Sequence, residues 1–305
     1  MNKYSPEYTA HRRDTNISLN AIKQAIKNET ILESRVIKCD AKNNITLEIG
    51  KNIIGEIPFS ELEYHTDGTP VKPASATSKI NRHVKYIPLS IEKVNEQFVV
   101  KCSRKIVQKM CYDDYISKLT PGDVIDAHAL KIVSYGIFCD IGCGIVALLP
   151  TNNISVTHIV DPMNELKGIS ALKVVVKNID ENLRVELSHK ELLGTWEEEV
   201  ADMNEGDVTY GTVLSVESYG TFVRISQNVS GLADNIDFDV EPGDLVSVRI
   251  QSIQHKNMKV KLTIIDNIGS VEDKPMRFKY YITEGHISDW VYSTDTARKK
   301  IESHF

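Results

Sequence analysis

The 305-residue chain has no run of about 18 apolar residues, so no segment reads as a membrane span. Its first residues, MNKYSPEYTAHRRDTN, lack the apolar stretch of a secretory signal and read as a poorly ordered arm of a cytoplasmic protein. Cysteine is scarce. Cys39, Cys102, Cys111, Cys139 and Cys143 form an odd set without a CxxC pair, which favours reduced, packed thiols over metal or redox work. No Gly-rich phosphate loop, HExxH or GxSxG is present, and His128, His158, His189 and His255 stand isolated. These absences exclude the common catalytic constellations, so no enzyme, cofactor, metal or small-molecule substrate is expected. Low-complexity tracts are missing too.

Excess positive charge is also lacking, since 36 Lys and Arg face 42 Asp and Glu for a net charge of −6. The average hides an uneven distribution. Residues 1–119 carry 19 basic against 14 acidic side chains, and residues 120–204 carry 6 against 13. Within residues 72–109 nine basic residues face only Glu92 and Glu96. The N-terminal third is therefore basic inside an acidic whole.

What is present is a repeat. SYGIF at 134–138 recurs as SYGTF at 218–222, and Gly122-Asp123-Val124 recurs at the same offset of 84 as Gly206-Asp207-Val208. VVVKNIDENLRVELS (174–188) matches VRIQSIQHKNMKVKLT (248–263) at a slightly smaller offset. Each unit holds five short runs rich in Val and Ile, broken by Gly, Asn, Asp and Pro, which suggests a small closed antiparallel barrel. A third, more divergent copy precedes them, because VNEQFVVKCSRK (94–105) superposes on IDENLRVELSHK (179–190).

The expected architecture is mainly β: three tandem five-stranded barrels joined by short helices. An arm and helix occupy 1–29, with Ser18 as N-cap and Leu19, Ile22 and Ile26 on one face. A degenerate first barrel follows at 30–105, a helical linker at 106–118 and a second barrel at 119–188. A second helical linker spans 189–204, where Ser188 with Glu191 and Thr195 with Glu198 each fit a capping box. Trp196 is read as packing this linker onto a barrel. The third barrel spans 205–265 and an extension 266–305, whose alternation around Thr283-Glu284-Gly285 suggests a hairpin on the last barrel.

The strand, the SYGIF phrase, a Gly-led apolar strand and the ID…RxxLS ending resemble the S-one domain. This is the OB-fold RNA-binding repeat named for the largest protein of the small ribosomal subunit. LSHKELLGTWEEE resembles the segment between repeats of bacterial S-one proteins, and the stretch ending in GEIPFSEL resembles their degenerate first repeat. The resemblance covers about residues 17–265. It implies a non-catalytic single-stranded RNA-binding protein that holds mRNA or another transcript at or near the small ribosomal subunit. The competing expectation is a protein–protein adaptor whose barrels bind a ribosomal or polymerase-associated partner.

The candidate site follows from the repeat. Tyr135 and Phe138, like Tyr219 and Phe222, are three apart, and in a regular strand such residues face opposite ways. Either one ring of each pair enters the core, or a bulge at Gly136 and Gly220 brings both to one side. The resemblance implies the second arrangement, an exposed platform for stacking bases, with Asp180 and Arg184 beside it and Gln254 and Lys259 as their counterparts in the third barrel. Asp234 stands where the family often has His, which implies weaker phosphate binding by that barrel. In the first barrel Asn43 and Thr46 replace the rings. Its basic residues Lys79, Arg82, Lys85, Arg104 and Lys105 are read either as phosphate or ribosome contacts or as a solvated surface.

Overall fold

The computed structural model describes residues 3–7, 16–234, 239–270 and 278–305. Barrel 1 is built from β1 (Leu32–Cys39), β2 (Ile45–Gly50), β3 (Ile53–Ile57), β4 (His83–Val94) and β5 (Gln97–Ser103). Barrel 2 uses β6 (Val124–Val133), β7 (Gly136–Gly142), β8 (Ile145–Pro150), β9 (Ala171–Ile179) and β10 (Val185–Ser188). Barrel 3 uses β11 (Val208–Glu217), β12 (Gly220–Arg224), β13 (Ser230–Ala233), β14 (Asp244–Gln254) and β15 (Lys259–Ser270). All three close with one topology: a three-stranded meander, a fifth strand parallel to the third, and a fourth strand between the fifth and the first. This is the expected mainly β array of OB-type barrels.

Alternation builds each core. In β2, Ile45, Leu47 and Ile49 turn inward, while Thr46 and Glu48 turn outward. Apolar burial at roughly 25 cal/mol per Å² drives this assembly, and each barrel holds its own aliphatic cluster. β7 departs from the pattern, because only Phe138 escapes full burial. Asp140 lies on the outward side of that strand, yet barrel 1 and the arm cover it.

The arm differs from expectation. Residues 3–7 are docked, because Glu7 is the buried counter-ion of Arg104; residues 8–15 of the expected arm lie outside the described residues. The Glu7 carboxylate accepts from Arg104 Nε at 2.9 Å and Nη2 at 3.0 Å, and from the Lys85 backbone N–H at 3.0 Å. Arg104, fully inaccessible, also donates to the Leu62 and Cys143 carbonyls and so ties barrel 1 to barrel 2. Asp140 accepts from the backbone N–H groups of Glu7, Gly142 and Gly144. Burial first, and then the Glu7 charge, raise its carboxyl pKa.

The first linker is a helix at Lys105–Asp114 followed by a short turn at Ile116–Lys118. In the second linker only one capping box forms, at Thr195 and Glu198. The Ser188 hydroxyl instead donates directly to the Glu191 carboxylate at 2.5 Å. Trp196 is 2% exposed and joins the core of barrel 3.

In the extension the pairing strands are β16 (Asp289–Val291) and β17 (Glu302–His304), not segments flanking Glu284. The backbone after that turn is committed elsewhere: Gly285 and Ile287 bond to Val124 and Gly122 of barrel 2. Phe278 and Tyr280 pack around His189, with ring centroids 4.4 and 5.5 Å away, while Trp290 and Tyr292 enter the cluster of Trp196. Among the described residues no helix is long and apolar enough to cross a membrane.

Two outcomes follow from the buried polar groups. Glu7→Gln removes the carboxylate in two-pronged contact with the buried Arg104 guanidinium, with Glu63 further off at 3.7 Å, and is expected to cost about 3 kcal/mol in urea unfolding. Burial lowers the His189 pKa to about 4, whereas an unfolded histidine titrates near ~6.5. Protons therefore bind the unfolded chain first, and stability present above pH ~6.5 is lost as pH falls toward 4, by about 2 kcal/mol at pH ~5. His189→Gln should unfold without that component of the pH dependence.

Candidate nucleic-acid interface

The two tyrosines are not in strands. β6 and β7 pair Val133 with Gly136, so Ser134 and Tyr135 are the two residues of a hairpin turn. Glu217 and Gly220 bracket Ser218 and Tyr219 in the same way. Strand alternation therefore does not govern Tyr135 or Tyr219, and each ring folds over the face from which its phenylalanine projects. The bulges sit in the preceding strand, at Leu130 and Leu214, and not at the glycines. The glycines serve close approach: a Cβ at Gly136 would lie 2.3 Å from the Leu149 carbonyl oxygen, and one at Gly220 would lie 2.7 Å from that of Ala233.

The result is the same object twice. Tyr135 and Phe138 have centroids 6.1 Å apart and planes at 89°, and Tyr219 and Phe222 are 6.3 Å apart at 86°. Tyr135 is 58% and Tyr219 65% exposed, and both phenylalanines are half-buried. Each pair offers ring surface to solvent in a fixed edge-to-face arrangement. In barrel 1 Thr46 pairs with Lys38 and Glu56 as Phe138 pairs with Lys131 and Leu148. That barrel carries no rings at these positions.

Neighbours on the same faces come from the register. Phe138 stands beside Leu148, and Leu148 beside Glu186 on β10. Phe222 stands beside Leu232, and Leu232 beside Lys261 on β15. Asp234 is paired with Lys261 at 3.1 Å, both largely exposed, so its charge is partly met.

Arg184 reaches the barrel 2 face but is engaged there. Its guanidinium bonds Asp67 of barrel 1 at 2.5 Å, and Thr66 donates to the Asn182 carbonyl at 2.6 Å. The Thr69 backbone and hydroxyl, followed by Arg184, hold the Asp67 carboxyl at about 2. The 63–69 segment thereby walls a groove of about 380 Å³ that runs past Phe138 and Val146. Asp180 is committed to its own turn, accepting from the Asn182 and Arg184 backbone N–H groups at 2.9 and 2.8 Å.

Of Lys79, Arg82, Lys85, Arg104 and Lys105, three are internal, which corrects the reading of those three as phosphate contacts. Lys79 is buried against Glu63 at 2.8 Å, and burial lowers its pKa. Lys85 is buried and donates to the Ser5 carbonyl at 2.6 Å, and Arg104 is sealed against Glu7. Each has a carboxylate or carbonyl partner contributed from elsewhere in the chain. Arg82 and Lys105 remain exposed. Lys259 is exposed at the start of β15, near Arg298 and Lys299 of the extension. The sequence reading passed over those two; the only signal was the run RKK at 298–300.

The outward Tyr–Phe pair recurs on two consecutive OB-type barrels, and residues 118–190, which span the first of these, match the S1 RNA binding domain family. Over most of its length the chain is similar to small ribosomal subunit protein bS1. It is 28% identical to that of Staphylococcus aureus strain COL over 296 residues, covering 90% of this chain and 73% of that protein. With the Staphylococcus epidermidis protein it shares 28% identity over 267 residues, 82% of this chain and 65% of that protein. The chain thus spans about two thirds to three quarters of the length of these relatives. Among solved structures, a multidomain protein with nucleic acid binding domains from Streptococcus pneumoniae aligns over 78% of this chain and 73% of its own. Its identity is 13% and its TM-score 0.27, too low to support inference.

Gly136→Ala is expected to force β7 and β8 apart and to lower stability by about 2 kcal/mol. Thermal unfolding measures this, and Gly220→Ala should behave alike with a smaller loss.

Proposed function

We propose that the chain is a non-catalytic, single-stranded RNA-binding protein that holds mRNA or another transcript at or near the small ribosomal subunit. The observation that supports this reading is the repetition of one edge-to-face Tyr–Phe pair, exposed on two consecutive barrels. Unpaired bases stack on such rings for roughly 1–3 kcal/mol each, tolerant of sequence. RNA discriminates itself from duplex here by its unstacked bases, which a flat ring accepts and a helix does not offer. Tyr135, Phe138, Tyr219 and Phe222 are the stacking residues, Lys259 serves the backbone, and Arg184 would do so only by leaving Asp67. Two platforms on one chain raise the total affinity through effective concentration, which offsets the acidic balance of barrels 2 and 3. Placement at the small subunit rests on the similarity to bS1. Barrel 1, without rings, suits docking to the ribosome more than base stacking.

Binding of a short unstructured oligoribonucleotide, followed by fluorescence anisotropy against salt, tests the reading. Tyr135→Ala/Phe138→Ala and Tyr219→Ala/Phe222→Ala should each weaken binding by about 5- to 150-fold. The salt slope of the ring variants should stay near wild type, since no phosphate contact is removed. Binding unchanged in both variants would favour the adaptor alternative, in which the barrels recognise a ribosomal or polymerase-associated protein.

A further inference from the structure

On the face of barrel 3 that carries Phe222, a groove of about 420 Å³ opens between β13, the start of β15, the 156–157 segment of barrel 2 and the extension. Its walls include Lys259, Arg298 and Lys299, and no Asp or Glu is among the described residues that line it. Trp196 also lines it, and its indole N–H has no hydrogen-bond partner among the described residues. We infer that this groove is a phosphodiester-binding site for single-stranded RNA, assembled jointly by barrel 3 and the C-terminal extension. The inference rests on the stacking reading above and specifies where the strand leaves the Tyr219–Phe222 platform.

Register places the groove next to the rings. Leu232 lies beside Phe222 and Lys261, and Ser230 and Lys259 are each two residues further along their strands on the same face. Two strand residues advance about 7 Å. Lys259 is also two strands across from Phe222, roughly 10 Å, so a strand whose base stacks on Phe222 reaches the cationic wall with a phosphate further along, beyond the neighbouring nucleotide.

The extension is built to present two of its three consecutive cations. Ser293 Oγ donates to the Lys299 carbonyl at 2.9 Å and accepts from Ile301 N–H at 2.7 Å, which closes the 293–301 loop on itself. Thr294 anchors that loop by donating to the His255 carbonyl of barrel 3 at 3.2 Å. The Lys300 ammonium is spent on the Thr294 and Asp295 carbonyls, at 2.9 and 3.2 Å. Arg298 and Lys299 are exposed and line the groove. The corresponding groove on barrel 2 differs in sign: Glu63 and Asp67 line it, and Arg184 is already paired. Barrel 3 is thus the more phosphate-receptive of the two, despite Asp234.

The test uses the full chain and a short fluorescein-labelled oligouridylate titrated at several salt concentrations. Arg298→Gln/Lys299→Gln is expected to weaken binding about tenfold at low salt and to reduce the slope of log K against log salt by about 1.4, two contacts' worth for a single strand. Arg298→Lys/Lys299→Arg, which keeps both charges, should retain the wild-type slope. If the Gln variant matches wild type in affinity and slope while Tyr219→Ala/Phe222→Ala binds weakly, the groove inference is overturned and the stacking reading stands. If the Gln variant loses affinity and slope while the ring variant does not, the groove inference holds and stacking fails. Unchanged binding in both variants defeats both.

Discussion

The arrangement depends on one buried ion pair. Arg104 ends barrel 1 and Glu7 belongs to a segment that crosses back over it, and their two-pronged contact is sealed from water. Two charges removed from solvent are tolerable only with good geometry and with their remaining hydrogen bonds filled. Here the carbonyls of Leu62 and Cys143 fill those of Arg104, and the Cys143 carbonyl belongs to barrel 2. The pair is therefore satisfied only when the two barrels are docked. That docking sets the 63–69 segment against the face of Phe138 and gives the groove its second wall.

A second constraint acts within each barrel. A two-residue hairpin turn is too short for a tyrosine to hide in, and the next strand approaches so closely at the following position that only glycine fits. Ring exposure is thus a consequence of turn length and strand spacing, and it comes without a loop that must be ordered on binding.

Much of this was legible in the sequence. The duplicated SYGxF phrase, the Gly-Asp-Val starts and the Val-rich runs carry the barrel class, because closed barrels leave period-two alternation and regular turns behind. The pairing of rings was legible as a repetition but not as geometry, since residues 134–135 and 218–219 read as strand when they form the turn. The basic stretch misled for a different reason. The carboxylate that neutralises Arg104 lies 97 residues away, and a local charge count cannot see a partner that only tertiary structure delivers. Arg298 and Lys299 were invisible for the converse reason: their loop has no periodicity, and it matters only because it folds back on His255.

Barrels 1 and 2 each lend the connection after their third strand to the barrel that follows: residues 63–69 border the face of barrel 2, and residues 156–157 border that of barrel 3. The units are consequently not interchangeable beads. A barrel excised from its context arrives with one flank missing, and shuffling their order would match each face with a foreign neighbour. The array has a grain, running from amino to carboxyl end, and a threaded polymer would meet unlike surroundings depending on which of its own ends entered first.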